Sequence, residues 1–390
     1  MTAAEVRGRL ASLAAREGFA HVSFAEAASL ADARAATTAA LEDGRLATMT
    51  WMDHDWVRRA TNPATFLEGA RTVMVLALPV APLPESETEV PTSPTRGRIA
   101  RYAAGRDYHR VFEPKLRRIV RAIRQDFDAH ARATVDYGPL LERPWAARSG
   151  LGWQGKSTML LIPGLGPWAL LGVVVTDISA SPDDPLKKSC GSCTRCIVAC
   201  PTGAISPQGD TVDARLCISY HTIENRGPIP RDLRASFGDW IFGCDDCLTS
   251  CPVGRNASKS APELLPAGLE GARPVLAPLL ALDDAAFVER FRGRPIMRAK
   301  RDGLLRNVCV ALGNTGVPAD LPALAAALTD ASPLVRGHAA WAIHALALRH
   351  NLEPRAIMLL RERVGDEQEP FVCDERDFAL ARLAAETSAR

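Results

Sequence analysis

Charge of one sign is missing from this sequence: 47 Lys and Arg stand against 45 Asp and Glu in 390 residues, a formal net charge of +2. Bulk electrostatics therefore does not mark the chain as a nucleic-acid binder, and any basic surface must come from local clustering. An unbroken apolar run of the about 20 residues that a membrane helix needs is missing too. Ser157–Thr176 carries no charge, but Pro163, Gly164, Gly166 and Pro167 interrupt it. That pattern predicts two buried strands, Met159–Ile162 and Trp168–Val175, joined by a turn, and no membrane association. A secretion signal is not expected, because Glu5, Arg7, Arg9, Arg16 and Glu17 make the first 20 residues an amphipathic helix. Ten cysteines are too few for a disulfide scaffold in a chain this long. The expected compartment is the cytoplasm, where clustered thiols hold metal or do chemistry.

What is present is an ordinary globular composition, 47% hydrophobic and 24% charged, long enough for two or three domains. Val73–Val80 is a continuous apolar run, read as a buried strand, and it leads into a Pro-rich surface loop at Ala81–Gly97. Tyr108–His130 has helical periodicity, with Arg117, Arg118, Arg121 and Arg124 on a solvated side. Strands alternating with helices through residue 178 predict an α/β domain over 1–178. Residues 179–260 change character and hold eight of the ten cysteines. Residues 261–390 change again, to Ala- and Leu-rich helices. There Gly303–Leu312 and Pro333–Ala342 align thirty residues apart, with Leu321–Leu328 between them. This predicts HEAT-like repeats, in which stacked helix pairs bury a shared core. Cys309 and Cys373 lie outside the cysteine-rich stretch and read as structural thiols.

The cysteines carry the strongest signal. Cys190-x2-Cys193-x2-Cys196-x3-Cys200-Pro201 has the bacterial ferredoxin spacing, in which the fourth Cys serves the other cluster. A second run follows, Cys244-x2-Cys247-x3-Cys251-Pro252, with Cys217 between the two. One 4Fe–4S cluster then takes Cys190, Cys193, Cys196 and Cys251. The other takes Cys200, Cys217, Cys244 and Cys247, and no cysteine of the module is left over. Zinc is the competing occupant of Cys-x2-Cys pairs, and the three-Cys spacing ending in Cys-Pro weighs against it. Upstream, Gly150-x4-Gly155-Lys156-Ser157 fits a P-loop formally, but a strand-like run follows it where a P-loop opens a helix. Its glycines could instead let the backbone approach a bulky ligand.

Taken together the chain resembles the epoxyqueuosine reductases. The likeness runs through Arg101-Tyr102-Ala103, Gly105-Arg106-Asp107-Tyr108-His109, the Asp136–Ser157 block, Cys217-Ile218-Ser219-Tyr220, Gly243-Cys244-Asp245-Asp246-Cys247, Pro295-Ile296-Met297-Arg298 and Gly303-Leu304-Leu305-Arg306-Asn307. The resemblance implies a cobalamin held base-off by a nitroreductase-like α/β domain, a two-cluster ferredoxin-like module and an all-α HEAT-like C-terminal domain. It implies reduction of epoxyqueuosine to queuosine at the wobble position of tRNA. Cobalamin contacts carry over to Arg59 (with Arg58 beside it), Asp136, Ser157, Leu160, Ser219, Cys244 and Asp245. Two positions depart from the family pattern: Tyr137 replaces a small residue after the Asp, and Ser157 replaces His or Asn after Gly-Lys.

Removing an epoxide oxygen as water takes two electrons and two protons. Asp136 follows strand-like Thr134-Val135 and precedes a Gly-Pro turn, so it is the candidate general acid; packing against a corrin would raise its pKa. A bare turn-capping Asp is the competing reading. Arg292, Arg294, Arg298, Lys300, Arg301 and Arg306 put six cations in fifteen residues, and Arg298, Lys300 and Arg301 are the expected contacts to a tRNA anticodon stem-loop. The enzyme is expected to act as a monomer fed by an unidentified electron donor. A reductive dehalogenase-like reductase of a small molecule, or a plain electron carrier, are the alternatives. The repeats argue against the first and the α/β domain against the second.

Overall fold

The computed structural model describes residues 1–80, 94–257, 260–265 and 268–389, so most of the expected Ala81–Gly97 loop lies outside the described residues. By packing, the chain forms two units. One comprises Met1–Pro82, Arg106–Arg215 and Asp245–Leu265; the other comprises Leu83–Gly105, Leu216–Cys244 and Pro266–Arg390. Among the described residues the strands are β1 (His21–Glu26), β2 (Thr72–Pro79), β3 (Arg98–Ile99), β4 (Ala131–Thr134), β5 (Trp153–Gln154), β6 (Leu160–Leu161), β7 (Ala169–Thr176) and β8 (Trp240–Phe242).

The first unit is built on a four-stranded sheet in the order β1-β2-β7-β4. Every pairing in it is antiparallel, whereas strand–helix alternation had pointed to α/β. The apolar runs that became β2 and β7 report burial on both faces and carry no information about strand direction. Val73, Val75 and Ala77 of β2 point into a core with Trp145, Leu160 and Ile162. Met74 and Leu76 point to the opposite face and are equally buried. There the helices Ala3–Arg16 and His109–Phe127 pack. Gly172 of β7 allows this approach, since an added Cβ would lie 2.8 Å from the ring of Phe112. Ala3–Arg16 starts with a capping box: Thr2 accepts from the Glu5 N–H while Glu5 accepts from the Thr2 N–H. His109–Phe127 buries Val111, Phe112, Leu116, Ile119 and Ile123 along one side and stops at Asp128 in the left-handed region.

The two strands expected between residues 159 and 175 are β6 and β7. β6 pairs antiparallel with β5. The glycines before it are consumed by this hairpin: a Cβ on Gly152 would lie 2.5 Å from the Leu161 carbonyl oxygen, and one on Gly155 2.9 Å from the Leu161 side chain. Their lack of a Cβ is thus already required by the close approach of Leu161.

The second unit pairs β3 with β8 in parallel. Its core joins Ile241 and Phe242 of β8 to Leu304, Leu305, Val308, Leu312, Ala339, Ile343 and Leu346. The two sequence repeats lie on the helices Lys300–Thr315 and Pro333–His350, which pack together. Gly313 faces Trp341 so closely that a Cβ would lie 2.6 Å from its ring. The helices Glu353–Val364 and Pro370–Ala389 continue the stack. A buried ion pair fastens the last helix, with Arg234 donating to Glu375 at 2.9 and 2.6 Å. Cys309 is fully buried in this core, and the Cys373 thiol donates to the Glu367 carbonyl at 3.1 Å, so both are structural thiols. Among the described residues no helix is long and apolar enough to cross a membrane.

Candidate functional site

Two constellations in the first unit carry chemistry. The first is the thiol group Cys190, Cys193, Cys196 and Cys251. A turn closed by the Cys193 N–H on the Cys190 carbonyl (3.0 Å) leads into the helix Arg195–Ala199, which carries Cys196. That helix packs against Asp246–Thr249, after which Cys251 caps the turn Pro252–Gly254. Burial, then the neighbouring Cys190, pushes the Cys196 thiol up; burial also pushes up Cys251, with Cys190 and Cys193 adding to it. Cys196 feels Cys190 and Cys251, and Cys251 feels Cys190 and Cys193, so Cys251 lies near the thiols that the ferredoxin spacing assigned to its cluster. Ligation of iron would relieve this by replacing their protons. Nearby, Cys200 accepts a hydrogen bond from the Ala204 N–H at 3.3 Å.

The second constellation surrounds Asp136. β4 ends at Thr134, and Asp136 adopts φ +54°, a left-handed conformation that Asp tolerates better than most residues. Gly138 makes the turn possible, because a Cβ there would lie 1.7 Å from the Thr134 hydroxyl. The Asp136 N–H donates to Glu142 Oε1 at 2.6 Å. The carboxylate takes side-chain partners: the Tyr108 hydroxyl donates to Oδ2 at 2.5 Å, and His109 Nε2 lies 3.6 Å from the same oxygen. Asp107 Oδ1 holds His109 Nδ1 at 2.7 Å on the other side. The Asp136 side chain remains 62% exposed. It is thus presented outward by a purpose-built turn, and turn capping does not describe it.

The protein's own side chains set the charge on Asp136. Burial works to raise the Asp136 pKa, but the hydrogen bonds from His109 and Tyr108 outweigh it and hold the carboxyl below its ordinary value. The proton sits elsewhere. His109 is pushed down by burial and up, more strongly in sum, by Asp107 and Asp136, reaching about 9. Glu142 is raised by burial to about 8. The sequence alone singled out neither as a functional group. His109 was legible only as part of the Asp107-Tyr108-His109 run, and Glu142 only by lying within the Asp136–Ser157 block.

The other expected site residues divide. Ser157, Leu160 and Asp245 are buried. Arg59 and Arg58 are exposed, and both pair with Asp55, at 2.9 and 2.6 Å. In the second unit, Ser219 lies on the helix Ile218–Ile223, and Cys244 packs partly buried against the core. The six-cation stretch does not survive as one surface. Arg306 is fully buried and donates to the carbonyls of His221, Asn225 and Gly227. Arg294 donates to the carbonyls of Ala104 and Gly271. Arg301 pairs with Asp330 and Asp302, so of the three expected tRNA contacts it is spent inside the unit. Arg298 pairs with Glu224 at 2.8 Å but stays half exposed, and Lys300 is exposed. A run of cations in sequence does not fix which of them a fold will use as internal donors.

Comparison with known proteins finds matches along most of the chain. Residues 60–137 match the family model described as Epoxyqueuosine reductase QueG, DUF1730; residues 189–254 match a 4Fe-4S double cluster binding domain, and residues 295–380 match HEAT repeats. The epoxyqueuosine reductase of Alicycliphilus denitrificans is 40% identical over 324 residues, covering 78% of this chain and 88% of the relative. That of Escherichia coli is 36% identical over 304 residues, covering 78% and 80%. A crystal structure of epoxyqueuosine reductase with an epoxyqueuosine-modified tRNA-Tyr stem loop superposes with a TM-score of 0.88 at 27% identity, covering 97% of this chain and 99% of that one. A Bacillus subtilis epoxyqueuosine reductase with its catalytic loop swung out of the active site superposes equally well, at 0.88, 27%, 97% and 99%.

Proposed function

The chain belongs to the epoxyqueuosine reductase family, and from that membership we propose how its residues carry out the reaction. It is an oxidoreductase that reduces epoxyqueuosine in tRNA to queuosine. The epoxide takes up two electrons and two protons, gives an alkene and releases its oxygen as water. Two 4Fe–4S clusters serve it, one on Cys190, Cys193, Cys196 and Cys251, the other on Cys200, Cys217, Cys244 and Cys247.

Cobalamin is the proposed second cofactor. The residues that would hold it are Ser157, Leu160 and Asp245, all buried, with Arg59, exposed and paired with Asp55, and the backbone near Ser219; their hydroxyl, carboxylate, guanidinium and peptide groups would supply hydrogen bonds to a corrin's polar fringe. Asp136 would face the reacting side. Bound cobalamin supplies electrons at a single reactive metal atom, and the clusters deliver them one at a time.

The observation that carries the reading is the Asp136 turn with its protonated neighbour. As the carbon–oxygen bond breaks, negative charge develops on the leaving oxygen and needs a proton. We assign that proton to Asp136 Oδ2, refilled from His109 Nε2. The 3.6 Å between them closes on substrate binding, as catalytic hydrogen bonds commonly do. Tyr108 fixes the accepting oxygen, and Asp107 holds the imidazole in the orientation that directs Nε2 at it. Arg298 and Lys300, two of the cations of the stretch that stay exposed, are the proposed phosphate contacts for the anticodon stem-loop. The modified base leaves a single-stranded loop to reach the site, where flipping is inexpensive. The enzyme is placed in the cytoplasm with its substrate, acting as a monomer.

The test is incubation of the reconstituted protein with epoxyqueuosine-containing tRNA and a strong reductant, followed by nucleoside analysis. Queuosine forms only when both cobalamin and iron–sulfur clusters are loaded. Formation without cobalamin, or none with full loading, contradicts the reading.

A further inference from the structure

Tyr108, His109 and Tyr137 form a column of rings that runs from the core to the surface. Tyr108 is 7% exposed and stacks on His109, with centroids 4.2 Å apart and planes 27° apart. His109 stacks in turn on Tyr137 at 5.4 Å and 29°. Tyr137 is 66% exposed, so the face turned away from His109 meets solvent. The ring is also held at its far end, where the Tyr137 hydroxyl donates to Glu113 Oε1 at 3.1 Å. Single exposed apolar residues need no explanation. This one differs because it is immobilised at both ends and immediately follows the carboxylate that presents the proton.

We propose that Tyr137 is a stacking platform for a nucleobase of the single-stranded RNA loop that delivers the modified nucleotide to Asp136. The inference rests on the proposed tRNA activity and names a positioning residue for it. Every base has a flat π face, and single-stranded RNA is recognised largely by splaying bases onto aromatic side chains. A ring already ordered by His109 and Glu113 loses little freedom when a base lands on it. Since His109 touches both Tyr137 and Asp136, a base on the platform is registered against the proton donor.

The experiment uses the full-length protein loaded with iron and cobalamin. The probe is an anticodon stem-loop RNA carrying 2-aminopurine beside the wobble position, whose fluorescence falls on stacking. Tyr137→Ala is expected to weaken stem-loop binding about 5- to 150-fold and to relieve the quenching. Tyr137→Phe keeps the ring and binds within about threefold of wild type on the same stacking argument. Cobalamin affinity, read by absorbance titration, and iron content stay at wild-type values in both. Unchanged RNA affinity in Tyr137→Ala overturns the proposal; unchanged RNA affinity with weakened cobalamin binding assigns the ring to the corrin and equally overturns it. If wild type fails to reduce epoxyqueuosine while RNA affinity still depends on the Tyr137 ring, the activity falls and the platform stands.

Discussion

His109 Nε2 lies 3.6 Å from Asp136 Oδ2, and this pair inverts the simplest acid–base assignment. In the proposed proton path the Asp136 carboxylate is ionised at rest and the proton waits on the imidazole behind it. His109 is raised to about 9, so it stays protonated through neutral pH and loses its proton as pH rises past that value. Glu142, at about 8, loses its own just below. The expected single-turnover rate is therefore flat through neutral pH and falls between about 8 and 9. In His109→Gln the upper step of that fall disappears and the neutral-pH rate drops, because Asp136 has lost its proton source. An unchanged pH profile in His109→Gln removes the imidazole from proton delivery.

Cluster assignment makes a separate prediction. Cys251 is remote in sequence from Cys190, Cys193 and Cys196 but shares their electrostatic neighbourhood. Cys251→Ala should cost the reconstituted protein about four of about eight iron atoms, as does Cys193→Ala. Iron analysis and electron paramagnetic resonance check this. Loss of different clusters in the two variants contradicts the shared set.

Arg306 and the neighbouring cations predict opposite phenotypes within one stretch. Arg306→Ala leaves the carbonyls of His221, Asn225 and Gly227 without their donor, at about 1–3 kcal/mol for each group left unsatisfied. Thermal melting should show a large loss of stability. Arg298→Ala with Lys300→Ala should leave stability near wild type. The same pair should make the salt dependence of stem-loop binding shallower, by about 0.7 in slope for each phosphate that is no longer neutralised. Arg301→Ala should weaken the helical unit through Asp330 without changing the salt slope.

The sequence made some of this legible and hid the rest for physical reasons. Ferredoxin spacing is a local constraint on where thiolates converge, so the Cys190, Cys193 and Cys196 run could be read directly. β2 and β7 were visible as apolar runs because both of their faces are buried. Strand direction was not, since burial looks the same in either orientation. Arg306 was hidden among surface cations because nothing local says that its guanidinium will satisfy backbone oxygens some 80 residues away in the chain. The glycines at 152 and 155 pointed to close approach correctly, but the approaching group is Leu161 of the same hairpin. The pairing of His109 with Asp136 was hidden because the carboxylate comes from another element, brought to it only by the packing of His109–Phe127 on the sheet.

The central claim is that this chain reduces the epoxide with a proton passed through Asp136. The most direct measurement is single-turnover reduction of an epoxyqueuosine stem-loop by wild type and Asp136→Asn, matched for iron and cobalamin content and for RNA affinity. Asp136→Asn keeps the shape and the Tyr108 contact but cannot carry the proton, so the rate should fall about 10²- to 10⁴-fold. Equal rates at equal loading would contradict the account and leave Asp136 as a residue of the turn.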